Sequence, residues 1–230
     1  MSTPPGPADT SGVPWAGREL AAAPFADDDG SADPTLAVVL AAASQGRSAV
    51  ADVVRALAAA RVFVPGRPEA DGDLVIVTGA DERRALPVFS SVATLTRWDG
   101  TARPVPVDCR RAAAAAVGEG CEVLLLDPSG PVRLAVPRPA LVAIAEGRDW
   151  VSPSCDPELL AVLREAVHPL PDVLELHLER RGDIGVRVVL GIRGGLDGAA
   201  RDAVIRAARA LIDEVSLLPE RADPVELRIR

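Results

Sequence analysis

The chain has 230 residues, 48% apolar and 25% charged, with a formal net charge of −8 and a mean hydropathy of +0.19. This composition excludes a disordered chain and a fibrous repeat, and the length suits one large domain or two small ones. All 25 basic residues are Arg, and Tyr and Asn are absent. Such a bias fits a GC-rich bacterial genome. It removes the Schiff-base lysine, the pyridoxal-phosphate anchor, the P-loop lysine and a tyrosine general acid. Residues 1–33 carry one Arg and six acidic residues, and no segment forms a basic face for a phosphate backbone, so nucleic acid is not expected as a partner. Residues 1–12 show no basic or apolar part of a secretory signal, and no stretch reaches the ~18 apolar residues of a membrane span. A cytoplasmic protein that engages no membrane is expected. The three cysteines, Cys109, Cys121 and Cys155, are too scattered for a disulfide framework.

Residues 1–33 read as a flexible acidic arm with an apolar patch from Trp15 to Phe25, either undocked or pinned by those two rings. Asp33-Pro34 opens a helix, with Asp as the cap and Pro at the first helical position. Gln45-Gly46-Arg47 breaks it. A second helix spans about 48–60, with Val50, Val53, Val54 and Leu57 as its core stripe. Strands follow at 61–64, 74–78 and 84–89, the last two forming a hairpin. A helical turn covers 92–97 and an extended piece 104–107. Asp108 caps an Ala-rich helix ending at Gly118. The apolar run 121–126 predicts a central strand buried on both faces, and 132–136 pairs back to it. Pro139 opens a helix stopped by Gly147.

The break at 151–153 is the candidate boundary. Beyond it, Asp156-Pro157 starts a helix to about Val167. Residues 173–179 and 184–190 form a hairpin, Asp197 caps a helix to about Val215, and 225–229 is a last strand. The fold class is α+β: an irregular mixed-sheet domain over 34–150 and a smaller α-β-β-α-β module over 156–230. Matching faces in the hairpin predict Arg181-Gly182-Asp183 as the turn. His177 then lies opposite Arg187, and Leu178, Leu176 and Leu174 lie opposite Val186, Val188 and Leu190. A one-residue slip would expose an apolar row.

The segments FADDDGSADPTLAVVL, ALPVFSSVATLTRWDG, ARPVPV, VLLLDPSGPV and RPALVAIAEG occur in this order. From about Phe25 to Trp150 the chain resembles the N-terminal domain of the SseB family, the enhanced-serine-sensitivity group, in its actinobacterial form. ALPVFSS…RWD is the most specific part. The resemblance implies the fold of 34–150 and assigns no catalytic residues. It does not reach 156–230.

Phe89, Ser90 and Ser91 with Arg97 and Trp98 form the candidate partner-binding surface, since Arg and Trp are frequent interface anchors. The competing reading puts Phe89 and Trp98 in the core and makes the serines helix caps. Glu175, His177 and Glu179 alternate on one strand face. They could hold a divalent metal or place a general base, or form a charge ladder with Arg187. Arg193, Gly194 and Gly195 lie in a strand-to-helix loop that could cradle an anion, although Asp197 would stand where the anion sits. Asp27, Asp28 and Asp29 read as a solvated acidic loop without the EF-hand spacing. His168 reads as a partner for a helix dipole. The preferred reading is a non-enzymatic protein-interaction or regulatory module with an unknown protein partner and no cofactor or metal. The alternative is a small-molecule or anion-binding protein, or an enzyme, using the His177 face or the Arg193 loop.

Overall fold

The structure, a computed structural model, describes residues 25–66, 74–182 and 184–230. Trp15 and Asp183, on which two of the expectations above depend, lie outside them. The described residues form eight α-helices and nine strands in an α+β fold. Asp33 caps α1 (Pro34–Ala43) through its Oδ1, which accepts from Thr35 and Leu36 N–H. The helix α2 (Val50–Ala59) buries Val53, Val54 and Leu57, the stripe its spacing predicts. It begins at Val50, two residues later than expected, just after Ala49, whose backbone N–H donates to the Asp52 carboxylate.

Strand β1 (Arg61–Gly66) pairs antiparallel with β4 (Arg103–Asp108) in a two-stranded ribbon. A mixed sheet runs in the order β2 (Val77–Thr78), β3 (Arg84–Val88), β5 (Val123–Leu126), β6 (Leu134–Pro137). Only the end of the expected 74–78 strand pairs, at Val77 and Thr78. The β5 strand is inner, parallel to β3 and antiparallel to β6, which is why its sequence is apolar on both faces. Between β3 and β5 the chain forms α3 (Val92–Trp98) and α4 (Cys109–Gly118), and α5 (Arg138–Glu146) follows β6. Gly147, at φ 69°, ends α5 in the left-handed region. Asp108 precedes α4, but its side chain makes no cap hydrogen bond.

After a 3₁₀ turn at Pro153–Cys155, Asp156 caps α6 (Pro157–Val167). Strand β7 (Val173–Arg181) pairs antiparallel with β8 (Gly185–Ile192), and β8 pairs parallel with β9 (Val225–Ile229). The helix α7 (Gly198–Asp213) and a short helix absent from the sequence reading, α8 (Leu217–Arg221), connect them.

The hairpin register differs from expectation by two residues. Leu176 faces Leu190, His177 faces Val189, Leu178 faces Val188, Glu179 faces Arg187 and Arg181 faces Gly185. A two-residue shift keeps every side chain on its face, so the alternation that forbids a one-residue slip does not choose between these registers. The choice follows from the tip. Gly182 takes a positive φ of 59°, which glycine adopts readily, and Ile184 packs against the core of the preceding sheet. Leu174 consequently lies beyond the apolar row, 65% exposed, at an irregularity between Val173 and Glu175.

Buried apolar residues gather in two large clusters. One joins α1, α2, α4 and α5 to the face of β5 that carries Leu124 and Leu126, and includes Leu57, Leu86 and Trp150. The other joins α6, α7 and α8 to β8 through Leu163, Val188, Leu190 and Ile212. A small third cluster holds Phe63, Phe89 and Leu95. Arg83 spans the two large ones, 2.8 Å from Asp81 and 2.9 Å from Asp223.

Candidate functional site

Beyond β3 the chain runs through Phe89, which exchanges two backbone hydrogen bonds with Phe63, at 2.8 and 2.9 Å. Phe89 is fully buried and Ser90 is 4% exposed. Ser90 donates twice to Asp127, from its N–H to Oδ1 at 2.9 Å and from Oγ to Oδ2 at 2.6 Å. Asp127 follows β5 directly and is itself buried, at a positive φ of 45°. Its backbone N–H donates to the Val88 carbonyl at 2.9 Å. Ser91 caps α3, its Oγ accepting from Thr94 N–H at 3.2 Å. Trp98 is half-buried, its ring 5.3 Å from that of Phe89 at a 44° tilt. Arg97 is exposed. The five residues thus sit together, with Arg97 exposed, Ser91 and Trp98 partly exposed, and Phe89 and Ser90 buried.

Arg61 stabilises this corner from below. Its Nε lies 2.6 Å from Asp28 Oδ2, with both side chains 13% exposed. Its other nitrogens donate to the carbonyls of Ser31 and Ser90, and its guanidinium stands 4.2 Å from the Phe63 ring centre. The acidic loop is therefore not simply solvated: Asp28 is drawn inward by Arg61, and Val92 N–H donates to the Gly30 carbonyl at 2.9 Å.

On the hairpin, His177 Nε2 lies 3.2 Å from Glu179 Oε1, and Nδ1 lies 3.7 Å from Glu175 Oε1. Arg187 reaches Glu179 at 3.7 Å and Glu226 at 3.3 Å, and Arg181 reaches Glu226 at 2.6 Å. Three strands thus share one alternating charge ladder. The hydrogen bond to His177 is the largest cause holding the Glu179 carboxyl below its ordinary value, with Arg230 and Arg187 adding to it. A lowered acidic value favours the fold above the unfolded carboxylate range and is lost as pH falls through the folded value. His177→Ala should therefore raise the Glu179 midpoint in a carbon-detected NMR titration; an unchanged midpoint would refute this coupling. Among the described residues, no three His, Cys, Asp or Glu side chains form a metal-binding group.

Arg193 is exposed but paired. It donates to Asp172 Oδ1 at 2.8 Å and to the Pro171 carbonyl at 3.1 Å. Gly195 turns at φ 81°, and Asp197 accepts from Ala200 N–H as the cap of α7. His168 closes α6, its N–H donating to the Glu165 carbonyl at 3.2 Å.

Cys109 and Cys121 are buried and Cys155 is exposed. Burial pushes the Cys109 thiol up to about 12 and raises that of Cys121 as well. The thiolate is the reactive form, so the native protein should consume one equivalent of a chromogenic disulfide reagent at pH 8, and three after denaturation. A second fast thiol in the native state would contradict this.

Two features lay outside the sequence reading. Asp127 was legible only as part of an Asp-Pro-Ser-Gly turn, because its partner is 37 positions away. A cleft of about 290 Å³ between α2, α4 and the end of α5 is lined by Arg55, Arg110, Arg148 and Trp150; these side chains come from three separated segments. Residues 36–143 match the family model of the SseB protein N-terminal domain. No curated protein and no solved structure matches the chain significantly.

Proposed function

This chain is an SseB-family protein, carrying that family's N-terminal domain over residues 36–143, and from that premise we propose that it is a non-enzymatic interaction module engaging a protein partner in the cytoplasm. The observation that carries the reading is the end of α3, where Arg97 is exposed beside Trp98 and the Trp98 ring rests on buried Phe89. A partly exposed indole fixed from behind, flanked by a cation, has the make-up of an interface anchor. The groups with reactive potential support a structural role instead. The Ser90 hydroxyl is committed to Asp127, His177 lies between two carboxylates, and Arg193 is held by Asp172. Among the described residues no helix is long and apolar enough to cross a membrane. Placing a photo-reactive amino acid at exposed Thr96, beside the intact Arg97, tests the surface. A discrete protein adduct, missing when the probe sits at position 193, supports the reading. No adduct at 96, or equal adducts at both positions, would overturn it.

A further inference from the structure

We propose that the cleft between α2, α4 and α5 binds a small organic carboxylate, its carboxyl group held by Arg110 and the indole N–H of Trp150 and its apolar body lying against Val54, Ala58 and Ile144. This site is separate from the Arg97–Trp98 surface and does not depend on it. The cleft, about 290 Å³ in volume, adjoins a second hollow of about 490 Å³ through Ala58, Ala59 and Arg110. The smaller one matches the lower end of small-molecule sites, which combine apolar walls with a few convergent polar groups.

Three arginines reach the cleft, and they are not equivalent. Arg55 pairs with Asp52 at 3.1 Å, and Arg148 pairs with Glu146. Arg110 is exposed and has no ion-pair or hydrogen-bond partner among the described residues. Its guanidinium lies against Gly147, in the space a Cβ there would occupy. Glycine at 147 thus both closes α5 and leaves the space that Arg110 fills. Arg110 and Arg111 also occupy the first turn of α4, which holds no acidic residue, against the positive end of the helix dipole. A locally unfavourable charge with no internal partner is the kind of conflict that marks a binding site.

The second donor is Trp150. The residue is 9% exposed, lines the cleft, and its Nε1 is buried without a hydrogen-bond acceptor among the described residues. Buried indole N–H groups ordinarily find an acceptor. A carboxylate in the cleft supplies one and neutralises Arg110 at the same time. Asp149 on the cleft wall and Asp108 on the adjoining hollow oppose a multiply charged anion, so the arrangement selects a singly charged carboxylate over phosphate.

The test is a titration of the full-length ¹⁵N-labelled protein followed at its tryptophan indole resonances, with Trp150→Phe identifying the Trp150 signal. Hexanoate should move that signal saturably, and Arg110→Gln, a surface substitution, should weaken binding by about tenfold or more, the scale of one lost charge-assisted hydrogen bond. A Trp150 signal unmoved by tens of millimolar hexanoate would overturn the proposal. So would an unchanged affinity in Arg110→Gln, an equal response to hexan-1-ol, or tighter binding of inorganic phosphate than of hexanoate.

Discussion

Leu124→Ala is expected to destabilise the protein by about 2–5 kcal/mol, the range for large-to-small changes at fully buried positions. Leu124 is 0% exposed and lies in the inner strand of its sheet, opposite Leu86 on one side and Val136 on the other. With strands on both sides, the surrounding backbone has little freedom to collapse into the space left by the leucine. Because the apolar residues fall into two large clusters, we propose that residues 34–150 and 156–230 unfold as separate units. Calorimetry of Leu124→Ala should then show one transition lowered by roughly 10 °C or more with the other little moved. Leu190→Ala, in the second cluster, should do the converse. Contacts such as Arg83–Asp223 are half-exposed ion pairs, which contribute about 0–1 kcal/mol and would not fuse the two transitions. A single transition lowered equally by both substitutions would show one cooperative unit.

Asp127→Ala is expected to cost about 3 kcal/mol, because it strands two donors of Ser90 inside the protein and charge-assisted hydrogen bonds are worth roughly 1.5–3 kcal/mol each. Both residues are buried, and each carboxylate oxygen accepts one Ser90 bond. The positive φ at 127 adds to the penalty, since Asp tolerates it better than Ala. Asp127→Asn keeps one acceptor and the backbone preference, and should lose markedly less. Chemical denaturation of the two variants tests this. An Asp127→Ala variant within about 0.5 kcal/mol of the parent, the usual range for surface changes, would mean that the pair is not structurally important.

The elements most legible in the sequence are those whose causes are local. Asp33-Pro34 and Asp156-Pro157 carry their own cap and first helical residue, and both helices begin there. The apolar run around Leu124 announces an inner strand because nothing polar interrupts it. The register of the hairpin is not legible in this way. Alternation fixes which face each residue takes, whereas the two-residue choice depends on Ile184 meeting a core built from residues far earlier in the chain. The candidate site follows the same division. Ser91 as a cap and Phe89 and Trp98 in contact belong to a single short segment. The Ser90–Asp127 and Arg61–Asp28 pairs join residues that only the tertiary fold brings together, and the acidic loop looked solvated because Arg61 lies more than thirty positions downstream. Trp150 stood in the sequence only at a boundary, without any sign of a cleft.

The interaction reading is tested most directly by quantitative affinity enrichment from a native lysate with four baits: the parent chain, Arg97→Glu, His177→Ala and Arg193→Ala, each first checked for an unchanged circular dichroism spectrum. One reproducible protein should be retained by the parent, His177→Ala and Arg193→Ala baits and lost with Arg97→Glu. Retention by Arg97→Glu together with loss in His177→Ala or Arg193→Ala would contradict this reading and move the functional surface to the carboxyl-terminal sheet.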